Sequence, residues 1–71
     1  MRSREDHLAW AKDLAMQDLR AGNLQDACAT MVGRLNEHPE TKCADALAMI
    51  GMMYVMQYDV AGMKRWIEGF R

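Results

Sequence analysis

A single proline, a single phenylalanine and two cysteines in 71 residues exclude several architectures before any pattern is read. With only Pro39, there is no polyproline linker or low-complexity tether. Cys28 and Cys43 are too few for a disulfide-stapled scaffold, and in a reducing compartment both are expected as free thiols. Aromatic residues make up 7% of the chain, so a core has to be assembled from Leu, Met and Ala. Neither sign of charge dominates. Nine Lys and Arg stand against ten Asp and Glu, a net charge of −1 that gives no global attraction to nucleic acid or anionic lipid. No uncharged run approaches the ~20 residues that span a bilayer. The opening MRSREDHL is charged at once and lacks the apolar stretch and small-residue cleavage site of a signal peptide, so the expected location is the cytoplasm.

What the chain does have is apolar content, at 51%, enough for a packed core and too much for a disordered segment. Its length allows one domain of the size at which a single core supplies only ~3 to 5 kcal/mol of net stability, so self-association or a partner would help. The organising stretch is ADALAMIGMMYVMQY, residues 44–58. From Ala46 to Tyr58 it carries no charge and four methionines, Met49, Met52, Met53 and Met56. On a helical wheel its large apolar side chains point in every direction, so the helix has no solvent face of its own. Either the rest of the chain wraps it or another molecule covers it.

Around that stretch the sequence predicts four helices, over residues 4–20, 24–36, 42–57 and 60–70, joined by short turns that make neighbours antiparallel. Ser3 and Asp6 resemble a capping box at the first start, and Leu8, Ala11, Leu14, Ala15 and Leu19 form one arc with Trp10 on its flank. Asp18 falls inside the arc. It either leans out to solvent or takes a hydrogen bond from a nearby loop, or else turns inward to an arginine such as Arg34. Gly22 suits a left-handed stop and Asn23 a cap for the second helix, whose stripe is Leu24, Ala27, Cys28, Met31, Val32 and Leu35. Pro39 ends that run, and Thr41 is the expected cap of the third helix. Ala44, Ala48 and Gly51 share a narrow strip where another helix can approach closely. Asp59 caps the fourth helix, with Val60, Met63, Ile67 and Phe70 on one side and Trp66 adjoining.

Leu14, Ala15, Gly22, Ala27 and Pro39 match positions of the tetratricopeptide signature, and Leu47, Ile50, Gly51 and Tyr54 reproduce its spacing in the second half, with leucine in the tryptophan's place. The chain thus resembles two stacked tetratricopeptide-like helix-turn-helix hairpins, related by a 36-residue shift. Asp18, Tyr58 and Met63 depart from the pattern, where tyrosine, the turn glycine and a small residue belong. Such stacks usually need three repeats, so the resemblance implies a dimer or a covering partner. LNEHPET, IGMM and the closing WIEGF also look like small bacteriophage accessory proteins. That likeness implies a protein acting by binding a host or phage protein in the host cytoplasm, for example as an anti-CRISPR-type inhibitor of a defence complex.

No catalytic motif stands out, and no cofactor is implied. His7, Cys28, His38 and Cys43 lack the close spacing of zinc ligands, and a Cys43–His38 pair lacks an orienting group. The expectation is therefore a non-enzymatic, all-α protein-binding module. Its contact residues would be Met49, Met52, Met53, Tyr54, Met56, Trp66 and Phe70, with electrostatic contacts from Glu37, Glu40, Asp45, Lys64 and Arg65. The partner would be another protein or a second copy, with no membrane involved. The alternative is a small nucleic-acid-binding or regulatory module using Arg2, Arg4, Lys64, Arg65 and Arg71, a reading that the interspersed acidic residues weaken.

Overall fold

The computed structural model describes residues 3–70, and among them there are four α-helices and no strand. They are α1 (Arg4–Arg20), α2 (Leu24–Asn36), α3 (Asp45–Gln57) and α4 (Val60–Glu68), with one 3-10 turn at Pro39–Thr41. Arg2 and Arg71 lie outside the described residues.

Local chemistry sets most of the boundaries. Ser3 Oγ accepts from the Asp6 amide at 3.2 Å, and Glu5 and Asp6 occupy the positive end of α1. Gly22, with φ of 81°, reverses the chain after α1, and the Asn23 side chain accepts from the Asp26 amide to open α2. Asp59 Oδ1 accepts from the Gly62 amide at 2.9 Å and opens α4. The turn before α4 uses no glycine. Tyr58 takes the left-handed conformation itself, with φ of 53°, while its amide and that of Asp59 bond back to α3 carbonyls.

The start of α3 corrects the sequence reading. Thr41 does not cap it: its Oγ donates inward to the Leu35 carbonyl at 2.8 Å, so the hydroxyl closes the end of α2. Residues 42–44 are non-helical, and Ala44 stands at the N-cap without a side-chain bond. The Cys43 amide is held by Asn36 Oδ1 at 2.9 Å, which ties this connection to α2. At the other end α4 stops at Glu68, two residues short of the expected limit, where the Glu68 carbonyl accepts from Lys12 Nζ of α1.

The helices pack in cyclic order, α1 on α2, α2 on α3, α3 on α4 and α4 back on α1. α2 and α4 also touch, whereas α1 and α3 do not. The core lies chiefly between α1, α2 and α4. Ala11 and Ala15 from α1 and Ala27 from α2 let backbones approach, while Met31, Leu35, Met63 and Ile67 fill the centre. The α2 stripe faces this core with Val32 at its margin. Of the predicted α1 arc, Ala11, Ala15 and Leu19 are buried in it and Leu8 lies at the margin, whereas Leu14 is half-buried outside it and His7 takes the first place of the buried line. Val60 does not join it and stays 46% exposed. Asp18 accepts from Thr30 Oγ of α2 at 2.6 Å, so its partner is neither a loop nor an arginine; Arg34 pairs instead with Glu37 at 3.0 Å.

Candidate interaction surface

α3 touches α2 and α4 through a narrow line of residues. Gly51 is its one buried residue, and a Cβ there would fall 2.6 Å from Trp66 Cζ2, so the missing side chain is what admits the indole. Trp66 Nε1 donates to the Leu47 carbonyl at 3.0 Å, fastening the ring to the helix it packs against. Ala48, Tyr54 and Val55 sit half-buried beside it, and Tyr54 closes over Gly62, where an added Cβ would lie 2.5 Å from its ring.

Everything else large on α3 is exposed. Leu47, Met49, Ile50, Met52, Met53 and Met56 all face solvent, with Met56 at 82% and Met49 at 67%. Taken at ~100° per residue, Met49, Met52, Met53 and Met56 fall within an arc of about 100° opposite Gly51. They form a continuous methionine face on one side of a helix that carries no charge after Asp45.

The expected contact residues separate on this frame. Met49, Met52, Met53 and Met56 are together on the open face, whereas Tyr54 is on the other side of α3, half-buried over Gly62 and away from that face. Trp66 is corrected from a docking residue to a core residue, 8% exposed, because its indole is spent on Gly51 and Leu47. Phe70 meets Trp66 edge-on at 5.0 Å between ring centroids and is half-buried. Of the electrostatic residues, Glu37 is engaged by Arg34, and Glu40 caps no helix but donates its amide to His38 Nδ1. Asp45 opens α3, and Lys64 and Arg65 are exposed on α4.

A second concavity was not visible in the sequence. A cleft of about 470 Å³ lies between α1, the 42–44 connection and the end of α4. Leu8, Leu35, Leu47, Trp66 and Phe70 make its apolar walls, and Arg4, Glu40, Lys42 and Arg65 its charged margin. The cleft brings Arg4 and Arg65 from opposite ends of the chain to one place, whereas Lys64 is not part of it.

The remaining chemistry-bearing residues have structural partners. His7 is buried, and its Nε2–H donates to the Arg34 carbonyl at the end of α2. Its ring also lies 5.4 Å from both Trp10 and His38. The spacing of His7, Ala11, Ala15 and Leu19, four residues each, carried this information, since all four are the buried line of α1. Arg34 adds a guanidinium 5.5 Å above the Trp10 ring. Cys28 and Cys43 are buried free thiols whose pKa values are both raised, first by burial, then by Cys43 for Cys28 and by Asp45 for Cys43. A thiol held protonated is a poor nucleophile and a poor metal ligand. Among the described residues no three His, Cys, Asp or Glu side chains converge in a metal-binding group, and no helix is long and apolar enough to cross a membrane.

Comparison with protein families, curated proteins and solved structures finds no match to this chain.

Proposed function

We propose that this chain is a non-enzymatic protein-binding module whose contact surface is the methionine face of α3. The observation that carries the reading is a helix in which one residue is buried while six large apolar side chains remain exposed. Contiguous apolar area on that scale is uncommon on a protein that works alone and marks a site of association. Methionine suits such a site, because its unbranched, polarisable side chain adapts to the surface it meets. The likeness to bacteriophage accessory proteins extends the proposal to a target in the host cytoplasm, with inhibition of a defence complex as the biological outcome.

The test is affinity capture from host lysate with wild-type protein and a Met53→Asp/Met56→Asp variant, followed by titration of any recovered protein in purified form. Capture that requires the methionines and titrates to saturation supports the reading. Equal recovery by both proteins, or binding to neither, counts against it.

A second reading is favoured by one specific feature, the meeting of Arg4, Lys42 and Arg65 around the cleft. A phosphate-bearing ligand there would bind with an affinity that falls steeply with salt. Replacing Arg65 with Glu should then abolish binding of single- or double-stranded oligonucleotides, and an unaltered, salt-independent signal would dismiss this alternative.

A further inference from the structure

The methionine face is large enough, and free enough of charge, to pair with itself. Met49, Met52, Met53 and Met56 are arranged as M-x-x-M-M-x-x-M, a palindrome about the midpoint between Met52 and Met53. In an isologous two-fold interface residue i of one copy meets residue j of the other while j meets i, and this spacing is compatible with that relation. Reading α3 against itself in the antiparallel sense opposes Met49 with Met56 and Met52 with Met53 at every position of the face.

Resting on the interaction reading above, we infer that the occupant is a second copy of this chain, seated by antiparallel pairing of two α3 helices about a dyad between Met52 and Met53. The area is sufficient. The four methionines are 67%, 50%, 55% and 82% exposed. That is on the order of 500 Å² per copy, so a pair that buries all of it reaches roughly the 1,000 Å² that a specific interface has to clear. No charged side chain lies between Ala46 and Tyr58, so the central contact desolvates none, and a net charge of −1 per chain opposes pairing little. For Met49 to reach Met56 across the dyad the helices must run nearly antiparallel, the shallow crossing of ridges at three- and four-residue spacing.

Two measurements test the inference on the full chain. Sedimentation equilibrium over a concentration series should show a monomer–dimer equilibrium, with Met53→Asp shifting dissociation at least tenfold upward while circular dichroism stays unchanged. A wild-type monomer at every concentration, or a Met53→Asp dimer as tight as wild type, overturns it. Orientation is read by mild oxidation of an equimolar mixture of Met49→Cys and Met56→Cys proteins. The native thiols are buried and do not compete. Antiparallel pairing places position 49 beside position 56 of the other copy, and each position about 10 Å along the axis from its own mate. The 49–56 heterodisulfide should therefore dominate over both homodisulfides, and the reverse preference overturns the geometry. A monomer that still captures a partner through its methionines would overturn self-pairing and retain the interaction reading. Loss of both would dismiss the two together.

Discussion

At the scale of single residues, the glycines separate positions where a side chain is forbidden from positions where it is merely missing. Gly51 faces three Trp66 ring atoms at 2.6 to 2.9 Å from a would-be Cβ. Gly51→Ala gains ~1 kcal/mol of helix propensity. Overpacking a fixed indole costs about 1 to 3 kcal/mol, so the net effect should be destabilising. Gly33 on α2 is exposed, with nothing within 4 Å, and Gly33→Ala should stabilise by ~1 kcal/mol. Opposite shifts of the two midpoints in urea titrations check both. The buried thiols carry a pH signature. Their raised pKa values mean that the unfolded chain loses its thiol protons first, so stability is intact below about pH 9, the ordinary thiol value, and declines as pH rises above it. Both cysteines should resist alkylation at pH 8 until denaturant is added, and Cys28→Ala should flatten the alkaline decline.

At the scale of elements, α3 stands apart. The other three helices contribute the buried set, whereas α3 adds one glycine and a half-buried margin. Substituting Met49, Met53 or Met56 by Gln should therefore change thermal stability by no more than ~0.5 kcal/mol while weakening any association, a split that calorimetry and sedimentation can read separately. Its C-terminal end holds a different kind of cost. A tyrosine in the left-handed region pays ~1 to 2 kcal/mol that glycine or asparagine avoids, and Tyr58 is 69% exposed with one long hydrogen bond to the Gly22 carbonyl. Tyr58→Asn should accordingly raise the unfolding free energy, by about 1 kcal/mol at most, and with it the unfolding midpoint.

The elements also show what the sequence carries and what it does not. Caps at Ser3, Asn23 and Asp59 and the left-handed Gly22 were legible because each depends on a few neighbouring residues. The all-round apolar character of α3 was equally plain. Its openness was not, since a helix apolar on all sides reads the same whether wrapped or uncovered. Trp66 was misassigned for a related reason. Its partner is the empty space at Gly51, fifteen residues earlier, and periodicity within α4 holds no trace of it. Thr41 likewise satisfies the end of the preceding helix instead of the start of the next, a choice decided by the distance to the Leu35 carbonyl.

At the scale of the whole molecule, the cyclic packing leaves stability unevenly spread. α1 is held by α2 and α4 and sealed by the bonds from His7 to the end of α2 and from Lys12 to the end of α4. α3, with few buried apolar contacts, should open at lower free energy than the rest. Hydrogen exchange should show α3 amides exchanging ahead of those in α1 and α2, with protection rising selectively in α3 as protein concentration increases. The cleft between the chain's two ends tests the other surface. Titration with a phosphate-rich oligonucleotide that left Arg4 and Arg65 resonances unmoved would leave the methionine face as the principal site.

The division between a core built by three helices and a fourth helix turned outward has a consequence for how this chain can vary. Ala11, Ala15 and Ala27 are fully buried, so enlarging them overpacks the core and those positions tolerate little drift. The outward residues of α3 answer to folding hardly at all. Two selections run on one mutant library, one for soluble expression and one for biological effect, should therefore agree across α1, α2 and α4 and diverge along Met49, Met52, Met53 and Met56. The positions of disagreement would trace the working surface before any molecule that touches it has been named.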